Sequence, residues 1–371
     1  MKFGLLVAPG PQAAKTVQRA EALGFDSAFF LDSPVVFGDP YVSMAASAVQ
    51  TTRIMLATGV TNPLTRSAPV TASSLASLNA LAPGRIALGI GVGYTANLAM
   101  GYRNASAAEL ELFVETVKRL LRAEVTEVRL AEREVLVQFL NPDGPWINLK
   151  DRIRVYIAAA GPRTLRMAGR IADAIILGGV TNVDLIDACR RYVAEGAQEA
   201  GRAMDEIELA ITPSAYVTED EPSVEHLREV LGPKSLSPAA NFSRIAELSQ
   251  TVPRDVVDDL RMVRDAYKAA GGGEGDPRRR HLTAFRGYMT ELKDWQYPLV
   301  TPNVLEATSI AGTPDQCSEK ISRLEQHGIG QIILSPLPQF ADQTLESYGL
   351  RIVPRVAERS QYGGTLRWPS I

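Results

Sequence analysis

Short apolar runs alternate with longer stretches whose apolar positions recur every three to four residues along most of this chain. The first run covers residues 3–8. Residues 16–23 follow, with Val17, Ala20 and Leu23 on one face, and stop at Gly24, the residue type favoured just past a helix C-terminus. The pattern then repeats. Runs at 27–31, 52–58, 85–90, 154–158, 174–177, 206–212 and 331–334 predict seven more strands. Helical stripes are predicted at 69–81, from Leu110 to Leu121 behind the capping box Ser106-Ala-Ala-Glu109, at 163–171, at 182–200, from Thr313-Pro314 to Gly328, and from Gln343 onward. Residues 85–90 are nearly all apolar, as expected of a strand covered on both faces of a parallel sheet.

Two segments break the rhythm. Residues 124–151 contain Asn141-Pro-Asp-Gly-Pro145, read as a turn joining two short strands, so a hairpin-like insertion is predicted there. Residues 221–302 are predicted to be a mainly helical insertion or lid, clearest at 256–269, with a glycine cluster at 271–275. A chain of 371 residues accommodates either one decorated barrel or two ordinary domains. Eight strand-like runs, most followed by a helix, favour an α/β fold with a single (β/α)8 TIM barrel over residues 1–371.

Composition narrows the function by exclusion. The formal charge is −3 with 22% charged residues, so no basic footprint for nucleic acid or a membrane surface is expected. Cys189 and Cys317 fall in no CxxC pair and read as small buried hydrophobes of a reducing compartment. The apolar run before Pro9 and Pro11 is too short for a signal-peptide core, and no run is long enough to span a bilayer; a cytoplasmic location is expected. His226, His281 and His327 are scattered, so neither a metal site nor a Ser-His-Asp constellation is predicted. His327 beside Gly328 suits a helix C-terminus.

The candidate chemistry lies where predicted strands end, because a barrel gathers those ends on one face. Gly89-Ile-Gly91-Val-Gly93-Tyr94 is not a dinucleotide fingerprint, since Tyr94 stands where GxGxxG needs glycine. It does offer bare backbone to a ligand. Ala159-Ala160-Gly161-Pro162-Arg163 opens a helix, and Gly178-Gly179 ends the next strand; these are either ordinary tight turns or a phosphate site. Asp32 ends the second strand, as a functional carboxylate or a loop cap. Arg278-Arg279-Arg280 reads as a solvated loop or an anion-binding lid.

Taken together, Glu21-Ala-Leu-Gly24-Phe25-Asp26 with Asp32, Gly59-Val-Thr-Asn-Pro-Leu-Thr-Arg66, Leu81-Ala-Pro-Gly84-Arg85 through Gly93, Ala160-Gly161-Pro162 and Ile310-Ala-Gly-Thr-Pro314 resemble the bacterial-luciferase-like superfamily. The resemblance covers about residues 1–215 and 305–340 and is nearest to the branch using coenzyme F420, which includes the methylenetetrahydromethanopterin reductases. It implies a non-proline cis peptide at Gly59-Val60 backing a deazaflavin ring. Asp32 and Asn62 would border the polar edge of the ring, Val92, Gly93 and Asn97 the ribityl chain, and Ala160, Gly161, Pro162, Gly178 and Gly179 the phosphate. Departures are equally specific. Ser33 stands where the branch often has histidine, while Leu6 and Tyr94 stand where the reductases carry acids. Methylenetetrahydromethanopterin is therefore not the expected substrate.

What the resemblance implies is an F420-dependent oxidoreductase moving a hydride to or from a small organic substrate, with Asp32, Ser33 and Tyr94 as candidates for proton handling. An FMN-dependent monooxygenase and a non-catalytic flavin-binding barrel are the alternatives on the same fold. A homodimer is also implied.

Overall fold

The computed structural model describes residues 1–130, 133–270, 279, 281–282 and 290–362. In chain order the strands are β1 (Lys2–Val7), β2 (Ser27–Phe30), β3 (Met55–Thr58), β4 (Ile86–Ile90), β5 (Thr126–Leu130), β6 (Arg133–Val137), β7 (Arg154–Ala158), β8 (Ala174–Ile176), β9 (Glu208–Ile211), β10 (Ser214–Val217), β11 (Ser309–Gly312) and β12 (Ile329–Leu334). Eight of them close into a parallel barrel in the order β1-β2-β3-β4-β7-β8-β9-β12. These are the eight runs read from the apolar pattern, and the fold is a (β/α)8 barrel ringed by helices.

The barrel interior is filled in layers. At the floor the Glu208 carboxylate accepts from Lys2 Nζ at 3.0 Å and from Arg154 Nη2 at 2.8 Å. Above it Phe29 and Tyr156 meet edge to face with ring centroids 5.3 Å apart. Ala57, Ala87, Ala174 and Ala210 make room for these two rings. Large and small side chains thus interdigitate across a narrow cylinder, the usual way a barrel of this size is plugged. Outside, the Ala107–Leu121 helix starts where expected: Ser106 Oγ accepts the Glu109 N–H, and the Glu109 carboxylate accepts the Ser106 N–H. His327 caps the end of the Pro314–Gln326 helix, with Gly328 beyond it at φ +83°.

The insertions differ in detail from the sequence reading. β5 and β6 pair antiparallel, but Asn141–Pro145 does not join them. Gly144 N–H does close a turn onto Asn141 O at 3.1 Å, past the end of β6. That turn sends the chain back to the Ala68–Leu81 helix, where Asn79 Nδ2 donates to the Asn148 and Asp151 carbonyls. The turn chemistry was real; its place in the hairpin was not. Residues 221–302 contain the helices Val224–Leu248 and Arg254–Ala270. Arg278, Arg280 and the glycine cluster lie outside the described residues. The β10–β11 pair and the Pro40–Ala48 helix were not anticipated, although Asp39-Pro40 is a good helix start: Asp39 Oδ1 accepts the Tyr41 and Val42 N–H groups.

Candidate active site

The site grows from a gap in the sheet. β3 pairs with β4 through Leu56–Ile86 and Ala57–Ala87, and pairing resumes only at Thr61, opposite Ile90. Between them the Gly59–Val60 peptide bond is cis, at the position the resemblance implied. Thr58 bridges the interruption with its side chain. Its Oγ1 donates to Gly89 O at 2.6 Å and accepts the Gly89 N–H at 3.0 Å. Past the bulge, Thr61 N–H donates to Gly89 O and Gly91 N–H donates to Thr61 O, both at 2.9 Å. Only glycine fits at 89, because a Cβ there would lie 1.9 Å from Thr58 O.

Asp32 and Ser33 follow β2 on the same rim. Asp32 is 5% exposed, and its Oδ2 has no hydrogen-bond partner among the described residues. Burial pushes the carboxyl's pKa up; nearby Thr61 and Arg66 pull it down and Asp39 pushes with burial. The Thr61 hydroxyl comes near without reaching hydrogen-bond geometry, since its Oγ1 is also unpartnered. The Ser33 carbonyl accepts from Val36 and Phe37 N–H, folding the loop back on itself. Tyr41 and Thr71, which the sequence reading passed over, bring two more buried and unpartnered hydroxyls to this corner.

After β4 the chain turns at Gly93, φ +82°, directly into the short Tyr94–Ala99 helix. A Cβ on Gly93 would stand 2.3 Å from Asn97 Nδ2 and 2.7 Å from Asn62 Cβ, so these three residues are packed together. Asn97 Nδ2 donates to Val92 O at 3.2 Å while its Oδ1 is left without a partner. Asn62 is more occupied than a ring-edge role requires. Its Oδ1 accepts from Leu64 and Thr65 N–H, and its Nδ2 donates to Thr65 Oγ1, so it chiefly shapes its own loop. Tyr94 is half-buried at the start of the helix.

The two glycine turns expected to hold phosphate differ. Gly161 caps the Pro162–Ile171 helix, and a Cβ on it would meet only Thr164 Oγ1, at 3.8 Å. Ala160, Gly161 and Pro162 thus present open backbone at a helix N-terminus, which suits an anion. Gly178 and Gly179 are covered by the Val224–Leu248 helix: their Cβ positions fall 3.2 Å from Phe242 and 2.9 Å from Pro238. Their lack of side chains serves helix packing. The same helix carries Lys234, 7% exposed, across to the end of β12, where its Nζ donates to Ser335 Oγ at 3.2 Å and Pro336 O at 2.6 Å. Burial pushes this ammonium down to about 8.

The buried acceptor Asn97 Oδ1 and the open Gly161 turn fit a molecule having a polyol chain and a phosphate. Among the described residues no group of His, Cys, Asp or Glu is arranged to hold a metal, and no helix is long and apolar enough to cross a membrane. Cys189 and Cys317 are buried free thiols, and burial holds their pKa values up at about 12 and about 11.

Comparison with known proteins places the fold and the family. The chain is 28% identical over 370 residues to a 5,10-methylenetetrahydromethanopterin reductase of Methanolobus tindarius, covering 95% of this chain and 100% of that protein. It is 33% identical over 238 residues to an F420-dependent glucose-6-phosphate dehydrogenase of Intrasporangium calvum, covering 59% of this chain and 69% of the relative. The solved structure of the coenzyme F420 dependent tetrahydromethanopterin reductase from Methanopyrus kandleri superposes with a TM-score of 0.68 at 24% identity, covering 96% of this chain and 99% of the other. Residues 6–331 match the luciferase-like monooxygenase family. The chain belongs to that family.

Proposed function

We propose that this protein is an F420-dependent oxidoreductase acting on a small organic molecule. The observation that carries the reading is the unsatisfied buried acceptor Asn97 Oδ1 at the Gly93 turn, next to the Gly59-Val60 bulge and with the open Gly161 turn on the same rim. Its full-length relatives by name include reductases of methylenetetrahydromethanopterin, and its partial relatives F420-dependent dehydrogenases. Bound F420 supplies hydride transfer at C5 of its deazaflavin. The protein's share is to orient, exclude water and handle a proton.

Gly59 and Val60 would back the ring and Asp32 would border its polar edge, with Asn62 holding the adjacent loop. Val92, Gly93 and Asn97 would line the ribityl chain. Ala160, Gly161 and Pro162 would hold the phosphate at the helix N-terminus, with Gly178 and Gly179 at the neighbouring strand end. Asp32 is the rim group we assign to proton exchange, a buried carboxyl whose pKa burial raises. Ser33 and Tyr94 are the other polar residues at the rim. With Leu6, Ser33 and Tyr94 in place of the branch's usual groups, this reading favours a substrate other than a methanopterin.

Val42, Val49, Val70 and Leu81 are exposed on or beside the neighbouring Pro40–Ala48 and Ala68–Leu81 helices, which supports a homodimer through that face. Two buried free thiols suit a reducing cytoplasm.

The test is a fluorescence titration of the purified protein with F420 and with FMN, each oxidised and reduced. Tighter binding of F420, by about tenfold (1.4 kcal/mol) or more, is expected. Preference for FMN would move the protein to monooxygenase chemistry, and binding of neither would refute a flavin-type site.

A further inference from the structure

Four buried side-chain oxygens, Asp32 Oδ2, Tyr41 Oη, Thr61 Oγ1 and Thr71 Oγ1, lie close to one another without a well-formed hydrogen bond. They converge from four separate elements, the end of β2, the Pro40–Ala48 helix, the bulge after β3 and the Ala68–Leu81 helix. Exposure is 5% for Asp32, 8% for Tyr41 and 0% for both threonines. They sense one another. Burial, and then the Asp32 charge, push the Tyr41 phenol up to about 12, while Arg66 and the hydroxyls of Thr61 and Thr71 pull it back. Yet none of the four atoms reaches another at hydrogen-bond geometry.

Buried polar atoms are rarely left unpaired, so four in one place call for something small and hydrogen-bonding between them. Water fits that description, since it needs two to four polar partners and here finds a carboxyl and three hydroxyls. Charge is arranged to keep the cluster from being neutralised by a direct ion pair. Arg66, the nearby cation, is paired with Asp39 and stacks 4.4 Å over the Tyr41 ring. Asp39 in turn caps the helix that carries Tyr41.

We propose that Tyr41, Thr61 and Thr71 hold ordered water against Asp32, and that the four residues form the proton store of the site. Its use rests on the oxidoreductase reading; its existence does not. With the reduced cofactor bound, substrate would accept a hydride and its heteroatom would take the Asp32 proton as the Asp32 O–H bond breaks. The ordered water would then give a proton to the Asp32 carboxylate and take one back from solvent, so the net uptake is one proton from solvent. Oxidation of substrate runs the same transfers in reverse. Tyr41, Thr61 and Thr71 are positioning residues here, and Asp32 alone meets the substrate.

The experiment follows the Asp32 carboxyl by carbon-13 NMR in the ligand-free protein across pH, with Asp32→Asn identifying its signal. In the wild type Asp32 titrates above the ordinary carboxylate range. Tyr41→Phe and Thr71→Val each move that midpoint further up, because each removes a water-relayed donor to the carboxylate although neither touches it. Two near-isosteric variants on different helices guard against a folding defect in one. In turnover, kcat of Tyr41→Phe falls about tenfold or more with KM little changed, and its pH profile shifts with the NMR midpoint. An Asp32 midpoint that neither variant moves, or an ordinary midpoint in the wild type, overturns the store. Loss of F420 binding with the NMR shifts intact would instead overturn the oxidoreductase reading and leave the cluster standing.

Discussion

Replacing Lys234 with methionine gives the most quantitative check on the closure of the barrel mouth. The ammonium is buried between the Val224–Leu248 helix and the end of β12, with two neutral acceptors and, among the described residues, no carboxylate partner. It loses its proton near pH 8 in the folded protein, against 10.5 for an unperturbed lysine. Between those values the unfolded chain binds more protons than the folded one, so this residue's contribution to stability rises with pH. A gap of about 2.5 pH units at 1.36 kcal/mol each amounts to about 3 kcal/mol of penalty at pH 7. About 2 kcal/mol of that is recovered by pH 9.5. Urea unfolding of wild type and Lys234→Met at both pH values isolates the effect, since every other titrating group cancels between them. The wild type should gain about 2 kcal/mol relative to the variant on going to pH 9.5. A difference that stays constant with pH would mean that the amine titrates normally and is not sealed under the helix.

Three further substitutions test the rim. Thr58→Val leaves both Gly89 backbone groups without the hydroxyl that bridges them, so a loss of about 1–3 kcal/mol in urea unfolding and weaker F420 binding are expected. Gly93→Ala adds a methyl 2.3 Å from Asn97 Nδ2 at a positive φ and should lower both the melting temperature and F420 affinity. Gly161→Ala meets nothing closer than 3.8 Å, so it should leave the ligand-free protein's melting temperature unchanged and still weaken F420, by obstructing the phosphate; unaltered affinity would move the phosphate elsewhere.

The barrel was legible because its strands are short apolar runs, and burial on both faces leaves little room for anything else. The Thr58 hydroxyl was not legible. Threonine at a strand end carries no mark that it stands in for a missing ladder bond, and only the register on either side of Gly59-Val60 reveals it. Asn62 was read by analogy as a ring-edge residue, while its own loop absorbs its oxygen, a local competition any asparagine offers. Gly178 and Gly179 illustrate the same limit. A paired glycine says that something approaches closely, and Pro238 and Phe242 of a distant helix do so here, which the sequence around the pair does not announce. Tyr41 and Thr71 lie on two different helices, and no spacing in the sequence connects them to Asp32. The hairpin turn was misplaced because Asn141-Pro-Asp-Gly-Pro145 is the strongest turn signal in its neighbourhood, although it serves the return to the barrel.

The ion-paired floor sets the traffic of the whole molecule. Lys2, Glu208 and Arg154 seal the lower end, and the layer of Phe29 and Tyr156 stoppers it from above. Among the described residues that end of the barrel is therefore occupied by ion pairs and packed rings, and the open backbone at Gly161 lies at the opposite end. A ligand that uses that backbone has to approach from the rim.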